Sequence, residues 1–313
     1  VLLLDTHEVK ITRSIIATKN LHMIYFYLNQ QIYRLFVYFT NFSVIFVKLM
    51  MDMYYQLFSY FKFLVKSTNK HGIHSPFVFD FTYNCLDKKL NKSHPVFQSF
   101  LSYKNQLKSD KTSIEVNDFG AGSKHFKSNH LIISDMEKYA GISNIKAKLL
   151  IKIIDYFKPL NVLELGTSLG LSTLILSQQN QSNVITIEGC PETSNFAKSH
   201  LKQLGLNSIS FITSKFSKIL PKMTSENKFD FIYFDGNHQK EATLDYFNQC
   251  LKTTHNDSLF IFDDIYLSKE MQEAWREMMA HPKVSVSIDL FHFGLLFFRT
   301  EQSKQYFYIR TKT

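Results

Sequence analysis

Residues Asn161 to Ser177 read NVLELGTSLGLSTLILS, the most informative stretch of the chain. The run from Val162 to Leu165 is apolar apart from Glu164, as in a buried parallel strand. Gly166 ends this run, and the apolar residues after Gly170 recur at helical spacing. A strand, a glycine turn and a helix in this order form the ligand-binding crevice of a doubly wound sheet. The sequence therefore predicts an α/β fold with a ligand beside this turn.

The spacing of the glycines distinguishes between ligands. A dinucleotide fingerprint that starts at Gly166 would have glycine at positions 168 and 171. The chain has Ser168 and Leu171 there. We therefore expect a cofactor without a pyrophosphate group. The alternative is a plain glycine turn of an α/β protein.

The next two predicted strands end in further candidate contacts. Asn183 to Glu188 reads NVITIE and ends in an acid 24 residues after Glu164. A carboxylate at this place can accept hydrogen bonds from both hydroxyls of a ribose. The alternative is a solvated carboxylate at the end of a strand. Ser214 follows the third predicted strand and is a candidate contact for an adenine ring.

The stretch ELGTSLGLST resembles motif I of the class I S-adenosylmethionine methyltransferases, in the form found in catechol and caffeoyl-CoA O-methyltransferases. The resemblance extends from about residue 141 to residue 300. It implies a Rossmann-like, seven-stranded, mostly parallel sheet with an antiparallel last strand, helices on both faces and an N-terminal helical cap. It implies S-adenosylmethionine as the cofactor, with these candidate contacts: Glu164, Gly166, Thr167, Ser168, Gly170, Glu188, Ser214 and Asp235. The family often has glycine before the adenine-contacting residue, and the chain has Thr213, which weakens the assignment of Ser214.

Carboxylates gather at the exits of the fourth and fifth predicted strands. Phe229 to His238 reads FDFIYFDGNH and places Asp235 at its strand's end, and Ser258 to Asp264 reads SLFIFDD. These strands are neighbours in the fold, so Asp235, Asp263 and Asp264 should converge. Crowded like charges cost free energy unless a cation is present, and oxygen ligands suit Mg²⁺. The pattern predicts a Mg²⁺ site on the three aspartates.

The arrangement is similar to the metal site of the catechol O-methyltransferases. In that family an Asn follows the second Asp, where this chain has Asp264, and a catalytic Lys stands where it has His238. A histidine can act as a general base near neutral pH. Our hypothesis is that Mg²⁺ binds a substrate hydroxyl and lowers its pKa, while His238 removes the proton. In the alternative, Asp235 and His238 contact the cofactor or the substrate without a metal.

Oxygen is the expected methyl acceptor. Enzymes that methylate amino groups of adenine or glutamine typically carry [DN]-P-P-[YFW] after strand four, where this chain has Asp235-Gly-Asn-His. We predict an S-adenosylmethionine-dependent methyltransferase acting on a small hydroxylated molecule, with Asp235 and His238 as catalytic residues. The alternatives are an RNA methyltransferase and a non-catalytic module that binds the cofactor. The net charge of +9 favours the RNA alternative, but no dense basic tract accompanies it, so nucleic acid is not the favoured partner.

The chain divides into three predicted segments: 1–71, 72–140 and 141–313. The first is an aromatic-rich helical extension, with a packed helix over 53–66, and we interpret residues 1–50 as non-native because a methionine at 51 or 53 could be the true start. An interfacial or partner-binding helix competes with this interpretation. Membrane association is not favoured, because charges interrupt the apolar run before the roughly 20 residues that a spanning helix needs. The second segment is a cap that forms the substrate pocket, and the third is the methyltransferase core.

Three further features complete the predictions. The helix that starts after Ser143 is expected to supply core residues and no site residues. The loop from Ser113 to Ser123 imitates a cofactor loop, but we favour a lid or pocket segment. Cys85, Cys190 and Cys250 are far apart and form no C-x-x-C motif, which indicates reduced thiols and a cytoplasmic protein. A homodimer is left open.

Overall fold

The computed structural model describes residue 30 and residues 54–116, 129–178 and 182–311. Contacts divide the chain into two units, residues 1–57 and 58–313, and the second unit contains the sheets. The first unit lies outside the described residues apart from residues 30 and 54–57, and so does most of the segment interpreted as non-native. In the loop from Ser113 to Ser123, only residues 113–116 are described.

The elements before the core are mainly helical. Residues 54–66 form helix α1, within the range 53–66 that was predicted to be helical. The next elements are α2 (Pro76–Phe81), which continues as a π turn over Thr82–Leu86, α3 (Pro95–Ser109), β1 (Ser113–Glu115), β2 (His130–Ile132) and α4 (Ile133–Ala140). Strands β1 and β2 form a separate antiparallel pair. Within the described residues, no helix is long and apolar enough to cross a bilayer.

The core alternates strands and helices around one sheet. Its elements are α5 (Asn144–Phe157), β3 (Asn161–Leu165), α6 (Leu171–Leu176), β4 (Asn183–Glu188), α7 (Pro191–Gln203), β5 (Ile209–Thr213), α8 (Phe216–Glu226), β6 (Phe231–Phe234), α9 (Lys240–Cys250), β7 (Leu259–Asp263), α10 (Lys269–Ala280), β8 (Val286–Asp289), β9 (Phe293–Phe297) and β10 (Gln305–Tyr308). The strand order is β10-β8-β9-β7-β6-β3-β4-β5. The predicted Rossmann-like architecture is confirmed.

The strand count and the position of the antiparallel strand differ from the prediction. The sheet has eight described strands, and β9 runs antiparallel to both of its neighbours, β7 and β8. Strand β10 then adds to the free edge of β8 in parallel, with Tyr306 opposite Ser287. The added strand satisfies backbone groups that β8 would otherwise leave unpaired at the edge. The last strand of the chain is therefore parallel to its neighbour.

Both faces of the sheet are covered, as the apolar strands require. Side chains alternate between two clusters, with Phe231 and Tyr233 in one and Ile232 and Phe234 in the other. Helix α5 packs its Leu150 and Ile154 side chains into the first cluster, as predicted. The second cluster includes Trp275 of α10 together with residues of α8 and α9. The core is thus two apolar layers that hold the strands in register.

The register brings the strand exits of the sheet to one level. Leu165 of β3 lies opposite Ile187 of β4 and Phe234 of β6, and Phe234 lies opposite Phe262 of β7. The residues that come next, Gly166, Glu188, Asp235 and Asp263, therefore share one edge of the sheet. Ligands of open α/β sheets bind at this carboxyl edge.

Candidate active site

The glycine turn after β3 packs closely on the exit of β6. Gly166 has φ +109°, and a Cβ atom there would lie 2.1 Å from the backbone oxygen of Asp235. Gly170 has φ +80°, and its Cβ would lie 2.9 Å from the Leu201 side chain. The sequence predicted both glycines as cofactor contacts. In the structure they leave room for neighbouring protein atoms, and their predicted cofactor contacts stay predictions.

Helix α3 supports the same turn from the preceding segment. The Tyr103 hydroxyl donates a hydrogen bond of 2.7 Å to the backbone oxygen of Leu169. Tyr103 is 1% exposed, so this bond lies in the interior. The segment 72–140 therefore packs against the core and helps to shape the turn. Its role as the substrate pocket stays a prediction.

Glu164 is fully buried in β3 beneath the turn. Its Oε2 atom accepts hydrogen bonds from the hydroxyls of Thr173, at 2.5 Å, and Thr186, at 2.7 Å. Thr167 joins the group through a contact of 2.5 Å between its Oγ1 and that of Thr186. The Oε1 atom has no hydrogen bond of normal geometry among the described residues, although Ser172 acts on the same carboxyl. Burial raises the pKa of Glu164 to about 7, against the effect of the three hydroxyls.

This raised pKa predicts a pH-dependent stability difference between the protein and its Glu164→Gln variant. An acid whose pKa rises from 4.5 to about 7 on folding stabilises the fold at low pH, and this contribution is lost as the pH rises through 7. Glutamine does not ionise, so the variant does not lose this stability as the pH rises. From pH 5 to pH 8 we expect the variant to gain about 2–3 kcal/mol relative to the protein in the free energy of unfolding. Urea unfolding of both proteins at pH 5 and pH 8 measures this change. If the stability difference between the variant and the protein were the same at both pH values, the raised pKa of Glu164 would be wrong.

Glu188 ends β4 beside the turn. Its Oε2 atom accepts from the backbone N–H of Ser168 at 3.0 Å, and its Oε1 atom accepts from that of Cys190 at 3.0 Å. Ser168 adopts φ +47°, which turns its N–H toward the carboxylate. The backbone N–H of Ser214 donates to the Glu188 backbone oxygen at 2.9 Å. The structure therefore brings Glu188, Ser168 and Ser214 together.

The acidic pair after β7 holds a lysine. The Lys146 Nζ atom lies 2.5 Å from Asp263 Oδ1 and 2.7 Å from Asp264 Oδ1. Lys146 lies in the first turn of α5, where Ser143 caps the helix by accepting the Lys146 backbone N–H at 3.3 Å. Desolvation works to lower the pKa of Lys146, but the two aspartates raise it above its usual range. The lysine is therefore a firmly charged ammonium group.

Two other bonds hold the Asp263 carboxylate in place. The Tyr233 hydroxyl donates to Asp263 Oδ2 at 3.2 Å, and the Asp264 backbone N–H donates to Asp263 Oδ1 at 2.8 Å. Asp264 adopts φ +52°, a left-handed conformation that aspartate tolerates. Desolvation and the Asp264 charge raise the pKa of Asp263. Desolvation works in the same direction at Asp264, but Lys146 and His238 lower its pKa below the usual range.

Asp235 and His238 lie side by side at the exit of β6. The His238 Nε2 atom is 3.8 Å from Asp235 Oδ1, and the side chains are 22% and 26% exposed. Both are open enough to reach a ligand in the crevice. Desolvation and the charge of Asp263 raise the pKa of Asp235 well above its usual range. Asp235 therefore lies in the field of the acidic pair.

The residues as placed do not fit the predicted Mg²⁺ site. The ammonium group of Lys146 lies between the carboxylates of Asp263 and Asp264, where the ion was expected. Among the residues that the structure describes, no three His, Cys, Asp or Glu side chains are arranged to hold a metal ion. The cation that the crowded carboxylates required is present, but it is a side chain.

Comparison with known proteins identifies the fold around this site. A family model described as a methyltransferase domain matches residues 163–265, which run from β3 through the acidic pair. These residues therefore form a methyltransferase domain. The match covers less than half of the chain and includes Glu164, the glycine turn, Glu188, Asp235 and His238. No curated protein matches this chain.

Several solved structures are similar to this chain at low sequence identity. A methyltransferase of Podospora anserina, solved with S-adenosylhomocysteine, is 13% identical, covers 72% of this chain and 97% of its own, and has a TM-score of 0.50. The O-methyltransferase TomG of Streptomyces achromogenes, solved with S-adenosylmethionine, is 22% identical over 51% of this chain and 82% of its own, with a TM-score of 0.45. An O-methyltransferase of Bacillus cereus is 18% identical over 65% and 89%, with a TM-score of 0.45. The first of these supports the fold.

Sequence reasoning missed Lys146 at the site of the methyltransferase domain. The prediction treated α5 as a source of core residues only. Two signals could have found the lysine. The helix before the first core strand must begin at the carboxyl edge of the sheet, and three carboxylates predicted to converge there required a cation.

Proposed function

We propose that this chain is an S-adenosylmethionine-dependent O-methyltransferase that methylates a hydroxyl group of a small molecule, as enzymes of the catechol and caffeoyl-CoA branch do. The observation that carries the proposal is the single row formed by Glu188, the Gly166 turn, Asp235 and Asp263. Glu188, which could accept hydrogen bonds from ribose hydroxyls, and the Asp235–His238 pair lie two strands apart on the same edge of the sheet. A cofactor at one end of the row then lies beside groups that can handle a hydroxyl proton.

The cofactor would lie on the Glu188 side of the row. The Glu188 carboxylate would accept hydrogen bonds from the ribose hydroxyls, with Ser214 near the base and Thr167 and Ser168 along the turn. Glu164 Oε1, which is buried without a normal hydrogen bond among the described residues, would accept one from a polar hydrogen of the cofactor. S-adenosylmethionine, when bound, supplies an activated methyl group. The protein's task is then alignment and the removal of one proton.

His238 would take that proton. Its Nε2 atom accepts the proton of the substrate hydroxyl, with the Asp235 carboxyl group 3.8 Å away. The oxygen, freed of its proton, is then the nucleophile for the methyl group. Magnesium, which the sequence pattern suggested, has no step in this proposal because Lys146 lies between its expected ligands.

Two measurements test the proposal. Calorimetry with S-adenosylhomocysteine should show one binding site per chain. A labelled-methyl screen of cell extract should then show transfer to small hydroxylated molecules. Binding without transfer to any acceptor would support the non-catalytic module, and labelled RNA with salt-sensitive binding would support the RNA alternative. No binding of S-adenosylhomocysteine would overturn the proposal.

The Glu188→Gln variant provides a sharper test of the cofactor site. A neutral amide makes weaker hydrogen bonds than a carboxylate, and a charged bond contributes about 1.5–3 kcal/mol. We expect affinity for S-adenosylhomocysteine to fall about 10- to 100-fold by calorimetry. Glu192→Gln is the matched control, because Glu192 is exposed in the first turn of α7 and should leave affinity unchanged. Equal affinities in the two variants would argue against a role of Glu188 in binding the cofactor.

A further inference from the structure

The ammonium group of Lys146 has an unusual set of neighbours. It bonds Asp263 Oδ1 at 2.5 Å and Asp264 Oδ1 at 2.7 Å, one oxygen from each of two successive aspartates. Its side chain is only 16% exposed. An ammonium has three N–H donors, and the third has no acceptor among the described residues. This donor is available to a ligand.

The placement of Lys146 works against its own helix. The backbone N–H groups at the start of α5 carry partial positive charge, so a cation in the first turn is unfavourable there. The two aspartates offset this cost. The Tyr233 hydroxyl and the Asp264 backbone N–H also bond the Asp263 carboxylate, so the position of this first ligand does not depend on the lysine alone. The ammonium group of Lys146 thus contacts two carboxylate oxygens, the type of ligand that a bound metal ion would have.

We propose that Lys146 is the cation of this active site, in place of a divalent metal ion, and that its third N–H binds the acceptor oxygen of the substrate. This inference rests on the proposed O-methyl transfer and deepens it. The positive charge stabilises the oxygen as its proton passes to His238 Nε2, so that transfer requires no metal ion. Lys146 is then a catalytic residue.

Metal binding tests this role without any need for turnover. In the Lys146→Ala variant the space between Asp263 and Asp264 loses its cation and is open to an ion. We expect Mn²⁺, monitored by electron paramagnetic resonance, to bind the variant about 10- to 100-fold more tightly than the unaltered chain, the range over which single side chains change metal affinity. Adding Asp264→Ala, which removes one of the two carboxylates, should abolish the gain. Lys146→Met, which keeps the apolar stem, replaces the alanine variant if that variant does not fold.

The matched control is Lys148→Ala on the same helix. The Lys148 Nζ atom lies 5.3 Å from the centre of the Phe97 ring, so its removal should leave Mn²⁺ binding unchanged. Equal Mn²⁺ affinity of the unaltered chain and the Lys146 variant, or binding by neither, would overturn the inference. So would a gain of the same size in the Lys148 variant.

Activity gives the second readout. Once a methyl acceptor is identified, EDTA should leave the turnover of the unaltered chain unchanged. Lys146→Ala should lower turnover about 10²- to 10³-fold, as loss of one oxyanion donor does. Affinity for S-adenosylhomocysteine should not change. Loss of turnover in EDTA would overturn the inference while leaving the proposed function in place. Absence of any methyl transfer would instead count against the proposed function, and the Mn²⁺ titration would still decide whether Lys146 fills a cation site.

Discussion

The His238→Gln variant is expected to turn over about 10²- to 10⁴-fold more slowly than the unaltered chain, the usual contribution of a general base. Glutamine keeps a polar side chain of similar reach but cannot accept a proton. His238 pairs with Asp235 at the exit of β6, two strands away from Glu188 of β4 in the sheet. Affinity for S-adenosylhomocysteine, measured by calorimetry, should therefore stay the same while turnover falls.

The molecule contains its own control for this experiment. His255 forms a similar pair with Asp230, with His255 Nε2 3.0 Å from Asp230 Oδ1. Asp230 precedes β6, whereas Asp235 follows it, so this second pair lies at the opposite edge of the sheet. The His255→Gln variant should keep full turnover. Comparable losses in the two variants would show that the effect arises from stability and not from proton transfer.

The Gly166→Ala variant is expected to lose most of the stability of the fold. Two costs combine at this residue: φ is +109°, which residues with a Cβ rarely adopt, and the new atom would lie 2.1 Å from the Asp235 backbone oxygen. The neighbour is backbone within the sheet edge and cannot move aside without disturbing β6. We expect a loss of at least about 4 kcal/mol in the free energy of unfolding, against a total of about 5–15 kcal/mol for a typical domain. Urea unfolding, or the yield of folded protein, measures the loss.

A substitution at Gly205 measures the cost of a positive φ without the steric clash. Gly205 also has a positive φ, +83°, but a Cβ atom there would meet nothing within 4 Å. Gly205→Ala should therefore cost only the backbone strain, about 1–2 kcal/mol. If Gly166→Ala were as mild as Gly205→Ala, the close approach between the β3 turn and the β6 exit would be wrong.

Local patterns in the sequence were sufficient for the order of the core elements. The sequence shows the apolar runs of β3, β4, β6 and β7, each with a glycine or an acid at its end. They can be recognised because a strand buried on both faces must be apolar along its length. The positions of Glu188, Asp235 and Asp263 at strand ends could be read from the same runs. Strands β8 and β9 form an antiparallel hairpin at the other side of the sheet. The order in which these strands pair, and the addition of β10 to the edge of β8, depend on which strand edges remain free. A local sequence pattern does not determine this.

The chemistry of the site depended on contacts between distant parts of the chain. Lys146 bonds the side chain of Asp264, which is 118 residues away in the sequence. Gly166, after β3, packs against the backbone of Asp235, after β6. Sequence reasoning correctly required a cation among the aspartates, since converging carboxylates repel one another at any separation along the chain. It named Mg²⁺ and missed Lys146, because the identity of the nearest positive side chain depends on where helix α5 begins relative to the sheet. Residue types and periodicity determined the strands, the crevice and the acidic edge; only the packing of α5 on the sheet decided that a lysine, held 2.5 Å from Asp263, is the group that neutralises them.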